Sequence, residues 1–199
     1  MKELIRRIPW GGENVSELGT LLSREWLVTN GLGGYAAGTI AGVVTRRYHG
    51  FLIAALGAPF GRMLMLPHLS EQLRLADGRN VRFGGEERRG GLAGASGFHF
   101  LEEFRLDLGL PIWRYNIEGI VLEKRVLLPH QQNTVYVSYR LLEGPEWVRL
   151  KLLPTVHFRS HDAPVSTPLS GEYQLHVQGD HYELSAGSHL PSLRMMLYG

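Results

Sequence analysis

Apolar side chains recur at every second position through most of this chain, and that spacing commits it to strands. "VYVSYRLL" (Val135 to Leu142), "WVRLKLLP" (Trp147 to Pro154) and "YQLHVQ" (Tyr173 to Gln178) alternate apolar with polar residues, and "GIVLEKRVLLP" (Gly119 to Pro129) adds β-branched side chains to the same pattern. A period of two sends neighbours to opposite faces of a sheet, whereas a helix face needs a period near 3.6. Turn signals separate the runs: "ADGR" at Ala76 to Arg79, "EGPE" at Glu143 to Glu146, and Gly179-Asp180. Strands at roughly 10-residue spacing with Gly and Asp punctuation predict an all-β fold, an antiparallel sandwich or barrel. The N-terminal segment has room for a helical turn, which Pro9, Gly11 and Gly12 stop early.

Composition narrows the function classes. A hydrophobic content of 44% with 20% charged residues is that of a globular protein, and 199 residues suit one domain. The formal charge of +2 is too small to argue for a nucleic-acid partner, which selects a concentrated basic face. With no cysteine, disulfides, thiolate metal sites and a cysteine nucleophile are excluded. "MKELIRRIPW" lacks the apolar core of a signal peptide, and no apolar run has the length of a membrane span, so the chain reads as cytoplasmic with no membrane partner.

Two stretches are irregular. "FGGEERRGGLAGASGF" (Phe83 to Phe98) is glycine-rich without alternation and reads as a long loop, and "RSHDAPVSTPLSG" (Arg159 to Gly171) carries two prolines. "LPSLRMMLYG" reads as a strand running to the last residue, uncapped, which leaves open whether the domain spanning 1–199 is truncated at its C-terminus or docks against something.

The most unusual stretch is "EWLVTNGLGGYAAGTIAGVVTRRYHG", Glu25 to Gly50, in which five glycines precede a dense group of donors and rings and a sixth follows it. "NGLGG" is neither a dinucleotide fingerprint nor a phosphate loop, because no amphipathic helix and no Lys-Ser/Thr pair follows it. It fits a hairpin in which Asn30 and Gly31 supply positive φ. Gly38 and Gly42 remove side chains from a strand, which suits either close sheet packing or a trough approached by a ligand. Alternation through "TRRYHG" puts Arg46 and Tyr48 on one face and Arg47 and His49 on the other. Guanidinium forks bind carboxylates or vicinal hydroxyls, and tyrosine rings suit the C–H faces of sugars. For any single arginine the plainer expectation is solvation, or pairing with an acid such as Glu25 or Glu123; the cluster beside the glycines argues for a site.

Other residues carry less. His157 and His161 are four apart in "HFRSHD", but Pro154 and Pro164 argue against the helix on which that spacing binds zinc, so no metal or cofactor is expected. Trp113 and Trp147 fall on alternating strands and read as core or inter-sheet packing. Glu86-Glu87 and Glu102-Glu103 are adjacent and face opposite ways, so neither pair can flank a glycosidic bond. No catalytic residue emerges.

The stretch from Glu25 closely resembles the N-terminal domain of bacterial and archaeal-type glycogen debranching enzymes. The resemblance runs on through "GRMLMLPHLSEQL", "FRLDLGLPIWRYNIEGIVLEKRVLLPHQQNTVYVSYRLLEG" and "LKLLPTVHFRSHDAP", from about Ser23 to Pro164, and weakens in the glycine-rich loop and beyond Val165. It implies a β-sandwich of the glucoamylase-associated supersandwich type, followed in the family by an (α/α)6 barrel. That barrel removes the α-1,6-linked glucose at a trimmed branch point using two carboxylates, with inversion by analogy to glucoamylases. The barrel and its carboxylates are not in this sequence, so the expectation is a non-catalytic domain whose partners are the barrel, in cis or in trans, and an α-glucan such as glycogen or limit dextrin. Asn30, Gly33, Gly34, Tyr35, Arg46, Arg47, Tyr48 and His49 then become substrate-binding or domain-interface candidates near the barrel mouth. A free-standing α-glucan-binding module and an interaction subunit for a separate barrel, with self-association as a side effect, stay open as alternatives.

Overall fold

The computed structural model describes residues 5–8, 15–85, 97–169 and 171–199. Most of the predicted loop between Phe83 and Phe98 lies outside the described residues. The chain folds as an all-β, sandwich-like structure in which every described strand pairing is antiparallel.

One five-stranded sheet has the order β1 (Ile5–Ile8), β8 (Leu101–Asp107), β9 (Leu110–Ile117), β10 (Ile120–Leu127) and β11 (Tyr136–Glu143). A second has the order β13 (Arg159–Ser160), β5 (Arg62–Leu66), β4 (Gly50–Ala55), β3 (Tyr35–Thr39) and β2 (Glu25–Thr29). Two three-stranded sheets complete the fold: β12 (Arg149–Thr155), β6 (His68–Arg74) and β7 (Asn80–Phe83), then β14 (Gln174–Gln178), β15 (His181–Ser185) and β16 (Leu193–Met196). The turns expected at Gly78 and Gly179 have positive φ, as tight hairpins require.

The alternation read from the sequence becomes the inner face. Trp113 of β9 meets Trp26 of β2 edge-on at 5.3 Å and Phe104 of β8 at 5.2 Å, and its indole N–H donates to the Ile40 carbonyl at 2.9 Å. Such edge-to-face rings tie the two large sheets together while leaving no buried indole donor unmet. Alternation also carries charge inward: Lys124 of β10 and Glu71 of β6 occupy core-facing positions between apolar neighbours and pair at 2.5 Å. The Tyr139 hydroxyl donates to the same carboxylate, and Lys124 Nζ lies 4.8 Å from the centre of the Phe51 ring.

Four expectations are corrected. The N-terminal helix stands later than Pro9 and Gly12 suggested, at α1 (Val15–Ser23), because those breakers precede it, and a strand, β1, comes first. The last strand stops at Met196 rather than at the final residue. Trp147 is 71% exposed, since β12 begins only at Arg149 and leaves it in the preceding turn. Residues 45–49 are a turn closed by the His49 N–H on the Arg46 carbonyl at 3.0 Å, so the strand alternation assigned to "TRRYHG" does not apply.

Candidate functional site

The glycine-rich hairpin is built around one side chain. Asn30 is 1% exposed, and its Oδ1 accepts from the backbone N–H groups of Leu32 and Gly34, each at 3.0 Å. Its Nδ2 donates to the Gln132 carbonyl at 2.8 Å and to Asn133 Oδ1 at 3.2 Å. Asn133 in turn accepts from the Ala55 N–H and donates to the Ala55 carbonyl, so two amides lock the loop to the end of β4. Gly31 (φ 79°) and Gly33 (φ 96°) hold left-handed conformations that close the turn, and a Cβ on Gly31 would meet the His130 ring at 2.6 Å. A Cβ on Gly34 would stand 2.7 Å from Asn30 Nδ2. Asn30 and Gly34 therefore shape the loop from within.

Gly38 has the packing role: a Cβ there would sit 3.3 Å from the Trp26 indole. Gly42 is outside any strand, at φ 80°, in a turn whose N–H donates to the Thr39 carbonyl.

The turn at 45–49 divides its four candidates. His49 is fully buried; its Nδ1 accepts from the Thr45 N–H at 3.3 Å, and its Nε2 lies 3.5 Å from the Glu25 carboxylate. Burial lowers the His49 pKa, and the nearby Glu25 only partly restores it. Arg46 hydrogen-bonds the same carboxylate, the pairing expected of an ordinary surface arginine. Partial burial pushes the Glu25 carboxyl up, but the Arg46 bond and the charges of His49 and Arg46 outweigh it and hold it below its usual value. Arg47 and Tyr48 face solvent. Arg47 pairs with no carboxylate among the described residues.

Tyr35 joins loop and turn. Its hydroxyl donates to the Tyr48 carbonyl at 3.2 Å, and its ring meets His161 edge-on at 6.3 Å. Burial raises its phenol pKa, opposed by the charges of Arg62 and Arg159. Arg62 donates through Nε to the Gly33 carbonyl at 2.6 Å. Arg159, on the two-residue edge strand β13, is 5% exposed and donates to the carbonyls of Ser160, Ala163 and, across the fold, Arg47. Neither Arg62 nor Arg159 meets a carboxylate among the described residues.

The structure thus brings Tyr35, Arg47 and Tyr48 to one surface, sets Arg46 beside it in a salt bridge, and puts Asn30, Gly34 and His49 beneath. Arg62, Arg159 and His161 belong to the same place and were not among the sequence candidates. "HFRSHD" attracts attention for its histidines, whereas its arginine makes the long-range contact, and no local pattern marks that.

The candidate residues thus lie on an antiparallel, sandwich-like fold, at a sheet edge lined by arginine and tyrosine side chains. Residues 24–199 match the family described as "Glycogen debranching enzyme N terminal", and the chain belongs to that family. The search of curated proteins and that of solved structures returned no match. Among the described residues no helix is long and apolar enough to cross a membrane.

Proposed function

We propose that this chain is a non-catalytic domain that supports the catalytic barrel of a glycogen debranching enzyme, an α-1,6-glucosidase acting on glycogen branch points, and helps position its substrate. The observation that carries the reading is the family match over residues 24–199. The geometry supports it with a face suited to contact: Arg47 and Tyr48 are exposed on a turn whose underside is fixed by the buried His49 and by the Arg159 bond to the Arg47 carbonyl. A held turn presents its side chains without a further backbone ordering cost on binding. On this reading Arg46, Arg47, Tyr48 and Tyr35 meet the partner, while Asn30, Gly33, Gly34 and His49 set the shape beneath them.

The exposed Leu175 and Val177 on β14, two residues apart and so on one face, add an apolar surface that favours a protein partner over a neutral sugar. The test is to mix the chain with the separately expressed catalytic barrel that accompanies it. Sedimentation should show a complex, and glucose release from limit dextrin should rise with added chain. Two independent, non-interacting species with unchanged glucose release would overturn the reading.

A further inference from the structure

Burying a cation is costly unless an opposite charge accompanies it, and folded proteins pair their buried charges. Among the described residues the buried Lys124 obeys that rule by holding Glu71, and the partly buried Arg105 by lying between Glu103 and Glu123. Even the more exposed Arg79 and Arg114 each hold two acids, Asp77 with Glu118 and Glu102 with Glu143. Arg159 does not. Although only 5% exposed, it spends its donors on carbonyls, and its Nε is buried with no acceptor.

Two further arginines converge on the same place. Arg62 lies directly below, since the His161 N–H donates to its carbonyl at 3.1 Å and β13 pairs with β5. Arg47 is joined through its carbonyl to the Arg159 guanidinium at 2.5 Å. Asp162 is bonded at 2.5 Å to Ser160 Oγ and feels the charges of His161 and Arg47, but makes an ion pair with neither among the described residues. His161 Nδ1 and His157 Nε2, on either side of β13, are also buried without partners. The region is rich in donors and positive charge, short of acceptors, and walled by Tyr35 and Tyr48.

We propose that the face formed by Arg47, Arg62 and Tyr48 over Arg159 and Tyr35 receives carboxylates from an acidic protein segment. The proposal rests on the docking role proposed above and specifies its chemistry: the partner brings Asp or Glu side chains, and the arginines, none of them in an ion pair among the described residues, supply charge-assisted, fork-shaped hydrogen bonds to them. A neutral glucan supplies hydroxyls but no counter-charge, so it leaves the positive field of three arginines unmet.

The experiment is a calorimetric titration of the whole chain with a capped hexapeptide of alternating Asp and Glu, and in parallel with maltoheptaose, at constant ionic strength. Wild type should give saturable heat with the peptide and none with the sugar. Arg47→Met and Arg62→Met should each weaken the peptide at least tenfold. Arg79→Met, which alters an arginine held by its own acids, should bind as wild type. Both test residues are exposed, and matching melting curves will show that the variants fold.

Absent peptide binding, equal weakening in Arg79→Met, or displacement of the peptide by maltoheptaose would each overturn the acid site. Those outcomes are separable from failure of the docking role. A chain that binds the peptide but never associates with the barrel loses the docking role and keeps the site. One that docks equally well as Arg47→Met and Arg62→Met loses the site and keeps the role.

Discussion

Arg159 and Arg47 are 112 residues apart in sequence and are joined by a 2.5 Å hydrogen bond from the Arg159 guanidinium to the Arg47 carbonyl. The bond ties the turn at 45–49 to a two-residue edge strand and holds the exposed part of the candidate site in place. Arg159→Met removes this donor and those serving Ser160 and Ala163, leaving several carbonyls short of partners. It also removes a desolvated charge, which offsets part of the loss. The net cost should be about 2 kcal/mol in urea unfolding. Arg159→Lys should recover little of it, because a single ammonium cannot reproduce the fork. A loss under about 0.5 kcal/mol, the scatter of ordinary surface changes, would show that the turn does not depend on this contact.

The Glu71–Lys124 pair should behave as a coupled unit. Glu71→Gln leaves the Lys124 ammonium buried among Phe51 and Trp113 without its counter-charge, and Lys124→Met leaves the Glu71 carboxylate with only the Tyr139 hydroxyl. Each single change should cost roughly 3–5 kcal/mol. The double change Glu71→Leu with Lys124→Met should regain most of that, since neither charge is then stranded in the apolar layer. Additive losses in chemical denaturation would rule out the coupling.

Asn30 separates a shaping role from a binding role. Asn30→Asp keeps the acceptor for the Leu32 and Gly34 N–H groups, but turns a carboxylate oxygen toward the Gln132 carbonyl and Asn133 Oδ1. Two acceptors facing a buried anion should lower stability by about 2–3 kcal/mol. Thermal melting of the variant checks this, and an unchanged melting temperature would mean that the loop rearranges at no cost.

The sheets were legible because they depend on a local signal. Alternation in Val135 to Leu142 and Gly119 to Pro129 passes directly into β11 and β10, and the Asn30-Gly31 turn into the β2–β3 hairpin. The misreadings arose where that signal was extended past its range. "TRRYHG" has the residue types of a strand, but the irregular stretch after Thr39 consumes the residues before it, and pairing resumes only at Gly50 opposite Ala37. Burial of Lys124 and Glu71 was hidden for the opposite reason: their positions fit the inward face, and their charge argues against it. The residues of the candidate site were only half visible. Arg47, Tyr48 and Tyr35 stand in one short stretch, whereas Arg159 reaches them only because β13 pairs with β5.

Acid should destabilise the fold through histidines that folding shields from water. Burial, with the Lys124 charge adding to it, lowers the His68 pKa from 6.5 to about 4, and burial also lowers His49 and His157. A histidine depressed in the folded state binds its proton more readily when unfolded, so stability rises with pH between the two values. No penalty applies above pH 6.5, where both states are neutral. The loss grows as the pH falls from there toward 4, and the 2.5-unit shift of His68 sets its share at about 3 kcal/mol. Urea midpoints measured between pH 7.5 and 4.5 should therefore decline in wild type, and the decline should be shallower in His68→Gln. A midpoint that stays level, or rises, over that range would show that these rings are reached by water and titrate as free imidazoles.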